Sequence, residues 1–145
     1  MAVDIEVSTV IGRDVRVVAD FAGDPSNAPD WYTNIESVEW QTDPPVALGS
    51  RMAFVAHFLG RRLAYTYEVV ELVAGERLVM RTADGPFPME TTYVWEPAEG
   101  GTRMSLRNRG TPTGFARISA PVMRTAMRRA MTADLRRLKG LLESA

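Results

Sequence analysis

The stretch PVMRTAMRRAMTADLRRLKGLLE, residues 121–143, decides the architecture. Its apolar residues recur as Val122, Met123, Ala126, Met127, Ala130, Met131, Leu135, Leu138, Leu141 and Leu142. That is the i, i+3/i+4, i+7 spacing of one buried helical face. Arg124, Arg128, Arg129, Arg136, Arg137 and Lys139 fill the positions between and belong in water. One helix from Pro121 to Glu143 follows, with the proline in its first turn, where a missing N–H costs nothing. At 1.5 Å per residue it spans roughly 35 Å. An apolar stripe that long needs a broad sheet to receive it.

The residues before it supply one. Val3 to Thr9 alternates as a first strand. Gly12-Arg13-Asp14 then opens a helical pattern in which Val15, Val18, Ala19 and Phe21 share a face, and Gly23 stops it. The segment from Pro25 to Tyr32 is too rich in proline for a long helix and predicts a short second helix or turn, with Trp31 and Tyr32 inserted into the core. From Ile35 the period is two. Val38 and Trp40 mark one strand, and Met52, Phe54, Ala56 and Phe58 the next. Gly60-Arg61 turns the chain into Leu63, Tyr65, Tyr67 and Val69. Leu78 and Met80, then Met89, Thr91, Tyr93 and Trp95, then Met104 and Leu106 complete the series. Short connections between half-polar strands predict an antiparallel meander with one wet face. Gly110-Thr111-Pro112-Thr113-Gly114 breaks the last strand, and Phe115 to Ala120 reads as a separate helical turn. Strand, two short helices, six strands and a long helix make an α+β chain.

Composition narrows the function. The chain has 145 residues, enough for one domain with a real core, and its 46% apolar and 24% charged residues are ordinary for a globular protein. A net charge of −1 gives no general attraction to nucleic acid or acidic membranes. The charge is uneven, however: residues 115–145 carry seven basic and two acidic side chains, against ten and sixteen in the remainder. This basic helix face reads first as a solvated surface and second as a docking site for an acidic partner. With no cysteine, disulfides, thiolate metal sites and a thiol nucleophile are excluded. The start, Met1 to Glu6, is acidic and alternating, unlike a signal peptide, and no apolar run reaches the ~20 residues that span a bilayer. A cytoplasmic location without membrane insertion is the expectation.

Several segments carry a family resemblance. They are Asp24-Pro25 followed by Pro29-Asp30-Trp31, Leu48-Gly49-Ser50-Arg51, Tyr67-Glu68-Val69-Val70-Glu71-Leu72, Gly100-Gly101-Thr102-Arg103-Met104, and Leu138 to Leu142 with Glu143. In this order and spacing, over nearly the whole chain, they resemble the polyketide cyclase/dehydrase-like branch of the START and birch-pollen-allergen (helix-grip, SRPBCC) superfamily. The resemblance implies a curved antiparallel sheet of seven strands wrapped around the long C-terminal helix, with two short helices after the first strand. It implies a single ligand-binding domain over residues 1–145, with an apolar cavity between sheet and helix. The superfamily houses cyclases, lipid carriers, hormone receptors and co-chaperones, so it does not by itself fix a reaction.

The residues independently suit a cavity. Trp40, Met52, Phe54, Phe58, Tyr65, Tyr67, Met80, Met89, Tyr93, Trp95 and Met104 fall on the inner face, joined by Trp31 and by Asn108 in phase with Met104 and Leu106. Met123, Met127 and Met131 close it from the helix. Eight methionines suit a surface that repacks around varied ligands, although methionines and aromatics also fill ordinary cores. The expected ligand is a hydrophobic or aromatic small molecule, polyketide-, lipid- or isoprenoid-like. Buried hydroxyls at Tyr65, Tyr67 and Tyr93 need partners, and a ligand carbonyl can serve.

Catalysis has fewer candidates. Aldol-type cyclisation or dehydration needs a general acid/base and donors for an enolate. The three tyrosines, Asn108, and Arg81 if its strand turns it inward, are the available groups; catalytic residues stay unassigned. Glu68, Glu90 and Glu96 read as solvent-side partners of strand neighbours. His57 is out of phase with Phe54, Ala56 and Phe58 and belongs outside. One histidine and no cysteine argue against zinc, and no cofactor is implied. No nucleophile elbow, phosphate loop or dinucleotide fingerprint occurs, and the Arg-rich helix lacks the aromatics of a nucleic-acid surface. A non-enzymatic carrier, and a chaperone-activator-like module using the outer helix face, remain as alternatives, and a homodimer stays open.

Overall fold

The computed structural model describes residues 2–115 and 117–145. Seven strands form one antiparallel sheet: β1 (Val3–Ile11), β2 (Ile35–Trp40), β3 (Arg51–Phe58), β4 (Arg61–Val73), β5 (Arg77–Asp84), β6 (Met89–Ala98) and β7 (Gly101–Gly110). Helices α1 (Val15–Ala22) and α2 (Ala28–Trp31) follow β1, with a 3-10 turn at Pro25–Asn27 between them, and α3 (Ala120–Glu143) ends the fold. Strand order is β1-β7-β6-β5-β4-β3-β2, so five hairpins run in sequence and β1 docks beside the last strand. The element order is the one the residue pattern predicts, and the architecture is the helix grip that the family resemblance implies.

Local chemistry sets the helix ends. The Asp14 carboxylate accepts from the Arg16 N–H at 2.9 Å and caps α1. Ser119 caps α3, and Pro121 sits in the first turn. Met123, Met127, Met131, Leu135, Leu138 and Leu142 form its buried stripe. Val122 and Leu141, expected on that stripe, are instead 57% and 41% exposed, because at 100° per residue they fall beyond its edge. Of the helical turn expected over 115–120, Ile118 N–H donates to the Phe115 carbonyl at 2.9 Å; Ala116 lies outside the described residues.

Part of the basic helix face has a structural use. Arg128 donates to the Glu6 carbonyl at 3.1 Å, and Lys139 donates to the Val10 carbonyl at 2.7 Å. Both carbonyls belong to β1, an edge strand whose unpaired groups would otherwise invite another chain. Arg137 likewise donates to the Asp30 carbonyl at 2.8 Å. The end of α3 is clamped as well: Gly12 N–H donates to the Glu143 carboxylate at 2.8 Å, and Arg13 to the Leu142 carbonyl at 2.6 Å.

Gly101 opens β7 at φ 146°, and a Cβ there would collide with the Ile11 carbonyl oxygen. Only glycine lets β7 start this close to the end of β1.

The inner face of the sheet is longer than any one contact made to it. At one end Met52, Val69, Leu78, Trp95 and Met104 pack in the continuous core with α1, α2 and the second half of α3. At the other end the first half of α3 stands off the sheet, and a cavity remains.

Candidate functional site

The cavity encloses about 140 Å³ between the strands and α3. The sheet contributes Phe54, Ala56, Phe58, Leu63, Tyr65, Tyr67, Met80, Thr82, Met89, Thr91, Tyr93 and Asn108, and α3 contributes Met123, Met127, Ala130, Met131 and Asp134. Tyr32, Asn34 and Ile35 close one side, and Pro86, Phe87, Pro112 and Phe115 come from the loops at the rim. At the rim Phe115 meets Phe58 and Phe87 edge-on, and the Arg61 guanidinium lies 5.1 Å from the Phe115 ring centre.

Eleven of the expected residues therefore line this space: Phe54, Phe58, Tyr65, Tyr67, Met80, Met89, Tyr93, Asn108, Met123, Met127 and Met131. Trp31, Trp40, Met52, Trp95 and Met104 lie elsewhere. Met52 and Met104 are fully buried in the filled end. Trp31 is fully buried behind the wall, against the rings of Tyr32 and Tyr93. The Trp40 indole N–H donates to the Ser26 hydroxyl at 2.8 Å, and Trp95 packs towards Gly23. For the four on strands the reason is the same. Alternation selects a face of the sheet, but it does not say which end of that face the helices cover.

The outer face holds the groups placed there from phase. His57 lies 3.3 Å from Glu36, both more than half exposed. Arg81 does not turn inward; it pairs with Glu90 at 2.8 Å, and Arg109 meets the other Glu90 oxygen at the same distance. Burial works against the Glu90 charge, but the two guanidiniums hold its carboxyl below the usual range. Glu68 pairs with Arg51, and Glu96 is exposed opposite Arg103.

Inside, the polar groups form two sets. The Tyr67 hydroxyl lies 2.8 Å from the Thr91 hydroxyl, and Thr91 donates to the Asn108 side-chain oxygen at 2.6 Å. The Tyr32 and Tyr93 hydroxyls lie 2.6 Å apart. The Tyr65 hydroxyl has no hydrogen-bond partner among the described residues. Its ring stacks on Phe54 at 5.5 Å. Burial raises all four phenols, Tyr67 to about 12, so each stays a neutral donor at physiological pH.

The group sequence reasoning missed is Asp134. It is 2% exposed and lines the cavity from α3. Its Oδ1 accepts from the Thr33 N–H at 2.9 Å and the Thr33 hydroxyl at 3.1 Å. Burial raises its carboxyl to about 6, against the pull of the Thr33 bonds and Arg137. A signal was available: Asp134 follows Met127 by seven and Met131 by three, in phase with the buried stripe. Tyr32, Thr91 and Phe115 had weaker signals, since they depend on how loops and neighbouring strands close over the cavity.

The arrangement can hold an apolar ring and offer it hydroxyl donors, an amide and one carboxylate. Among the described residues no group of three His, Cys, Asp or Glu could hold a metal ion. No helix among them is long and apolar enough to cross a membrane.

Residues 2–143 match a family model described as "Polyketide cyclase / dehydrase and lipid transport". Among solved structures, a Thermus thermophilus protein, TTHA0849, superposes with a TM-score of 0.83 at 20% identity, covering 98% of each chain. The Zhui aromatase/cyclase from Streptomyces sp. R1128 gives 0.77 at 15% identity, over 99% of this chain and 94% of that one. Major latex-like protein 151 of Panax ginseng gives 0.76 at 13% identity, over 96% of each chain. At these identities the superpositions speak for the fold alone. No curated protein matches the sequence.

Proposed function

The chain belongs to the polyketide cyclase / dehydrase and lipid transport family, and from that premise we propose that it holds one aromatic or apolar small molecule between its sheet and α3. The observation that carries this reading is the cavity wall: a space of about 140 Å³ bounded by aromatics, five methionines and buried hydroxyls. A dry cavity of roughly 150 Å³ accepts a benzene-sized ring, whereas drug-sized ligands occupy pockets of about 300–1,000 Å³. A single ring fits as the wall stands. A longer polyketide-, lipid- or isoprenoid-like chain requires Met80, Met89, Met123, Met127 and Met131 to repack, which their unbranched side chains allow.

A second reading, cyclisation or dehydration of a polyketide-like substrate without metal or cofactor, is favoured by one observation. Asp134 titrates nearer neutrality than an ordinary carboxylate and shares the wall with neutral phenol donors, as enolisation would need. The interaction-module alternative has less support, because Arg128, Arg137 and Lys139 are engaged with backbone carbonyls.

Native mass spectrometry of freshly purified protein, against the same sample denatured, tests the binding reading. A co-purifying mass of a few hundred daltons that disappears on Met127→Trp is the expected result. Retention of that mass by a variant with a filled cavity would overturn it.

A further inference from the structure

The cavity carries a charge pattern that its apolar wall conceals. Among the described residues that line it, no Lys, Arg or His occurs, and Asp134 is the one carboxylate. Thr33 occupies only Oδ1 of that carboxylate; Oδ2 has no hydrogen-bond partner among the described residues. The neighbouring cation, Arg137, is turned to the Asp30 carbonyl and makes no ion pair with Asp134. The hydroxyl pair of Tyr32 and Tyr93 lies close enough for the Asp134 charge to raise both phenols. Tyr65 adds a further ring and an unpaired hydroxyl. A buried, half-satisfied carboxylate that shares the cavity wall with the Tyr32, Tyr65 and Tyr93 rings lacks one thing, a cation that donates hydrogen bonds.

Resting on the cavity reading above, we infer that this end of the cavity is a subsite for the protonated amine of an arylalkylamine, whose ammonium donates to Asp134 Oδ2 beside the rings of Tyr32, Tyr65 and Tyr93. Three arguments select an amine over other ligand heads. An ammonium–carboxylate bond is about twice as strong as one between neutral partners. Ring faces within about 6 Å of a cation attract it through their quadrupole. A ligand carboxylate or phosphate would instead face a like charge with no basic side chain in the wall to compensate, which disfavours fatty acids. Size agrees as well, since one ring with a short tail is what the enclosed volume and a modest methionine shift accommodate.

The test compares 2-phenylethylamine, 2-phenylethanol and phenylacetate at pH 7.5, by calorimetric titration of the wild-type protein and of Asp134→Asn. The variant keeps an oxygen for Thr33 but places an amide where Oδ2 stood. Wild type is expected to bind the amine at least tenfold more tightly than the alcohol and the acid weakest of all. In Asp134→Asn the amine should fall to the level of the alcohol, while the alcohol binds as before. An alcohol that equals the amine on wild type overturns the inference and leaves the cavity reading intact. So does an amine preference that survives Asp134→Asn. Failure of all three compounds to bind the wild-type protein would sink the cavity reading itself. The wild-type ranking stands as a test even if the variant folds poorly.

Discussion

Thr33 donates both its backbone N–H and its hydroxyl to one oxygen of Asp134, across 2.9 and 3.1 Å, and so ties the exit of α2 to the middle of α3. The two residues are 101 positions apart in sequence. One carboxylate oxygen thus holds the side of the cavity in place, and the other has no hydrogen-bond partner among the described residues.

The burial of Asp134, which the Thr33 bonds only partly offset, makes stability depend on pH in a defined direction. The folded Asp134 carboxyl is raised by burial to about 6 from an ordinary 3.8. Between those values the folded chain binds more protons than the unfolded one, so this group's contribution to stability falls as pH rises, then levels off above the folded value. The size of the gap corresponds to about 3 kcal/mol. Urea unfolding of wild type and Asp134→Asn from pH 3.5 to 8 should show the difference between them shifting against wild type across pH 4–6 and flat beyond. A difference independent of pH would show that Asp134 is not buried as a charge.

The 2.6 Å bond between Tyr32 and Tyr93 is expected to couple the two residues. Each Tyr→Phe change alone should cost about 1 kcal/mol, and the double change should cost less than the sum. Thermal unfolding of the four proteins in this cycle measures it. Strict additivity would mean the hydroxyls turn to solvent or to ligand instead of to each other.

Gly101→Ala should be severe for a reason unrelated to the cavity. The new Cβ meets the Ile11 carbonyl oxygen, and φ at this position is one that side chains avoid. A loss of more than about 1 kcal/mol is expected, read as a lowered urea midpoint. Gly140→Ala, where a Cβ meets nothing within 4 Å, is the matched control and should be neutral or stabilising.

What could be read without coordinates follows from what each pattern encodes. The 121–143 stretch has a 3.6-residue period and identified α3 to within a residue of its start. The two-residue period of β3 to β7 put His57 outside and Phe54, Tyr65, Tyr67 and Tyr93 inside. The same period could not separate Thr91, opposite Asn108 in the cavity, from Trp95, opposite Met104 in the filled core, because they share one face of β6 four residues apart. Only the placement of α1 and α2 distinguishes the two ends. Asp134 was passed over because an acid on an apolar stripe breaks the hydrophobic pattern being counted, though that break is itself what marks a buried site.

The cavity and the basic helix face can be set against each other in one comparison. Met127 lines the cavity and is nearly buried, so Met127→Trp puts an indole into the space a ligand would use. Overpacking of this kind costs about 1–3 kcal/mol when no room exists, and less where a cavity receives the added atoms. The variant should therefore unfold within a few degrees of wild type yet take up no aromatic probe. Arg124, Arg129 and Arg136 line a shallow groove on the opposite side of α3, and none of them donates to a β1 carbonyl as Arg128 does. Changing all three to Glu reverses the local charge without touching the cavity wall, so probe uptake should stay unchanged. A small-molecule binding protein gives that pair of results. Uptake that survives Met127→Trp but is lost on charge reversal would place the ligand on the outer face of α3, and the interaction-module reading would then replace the cavity one.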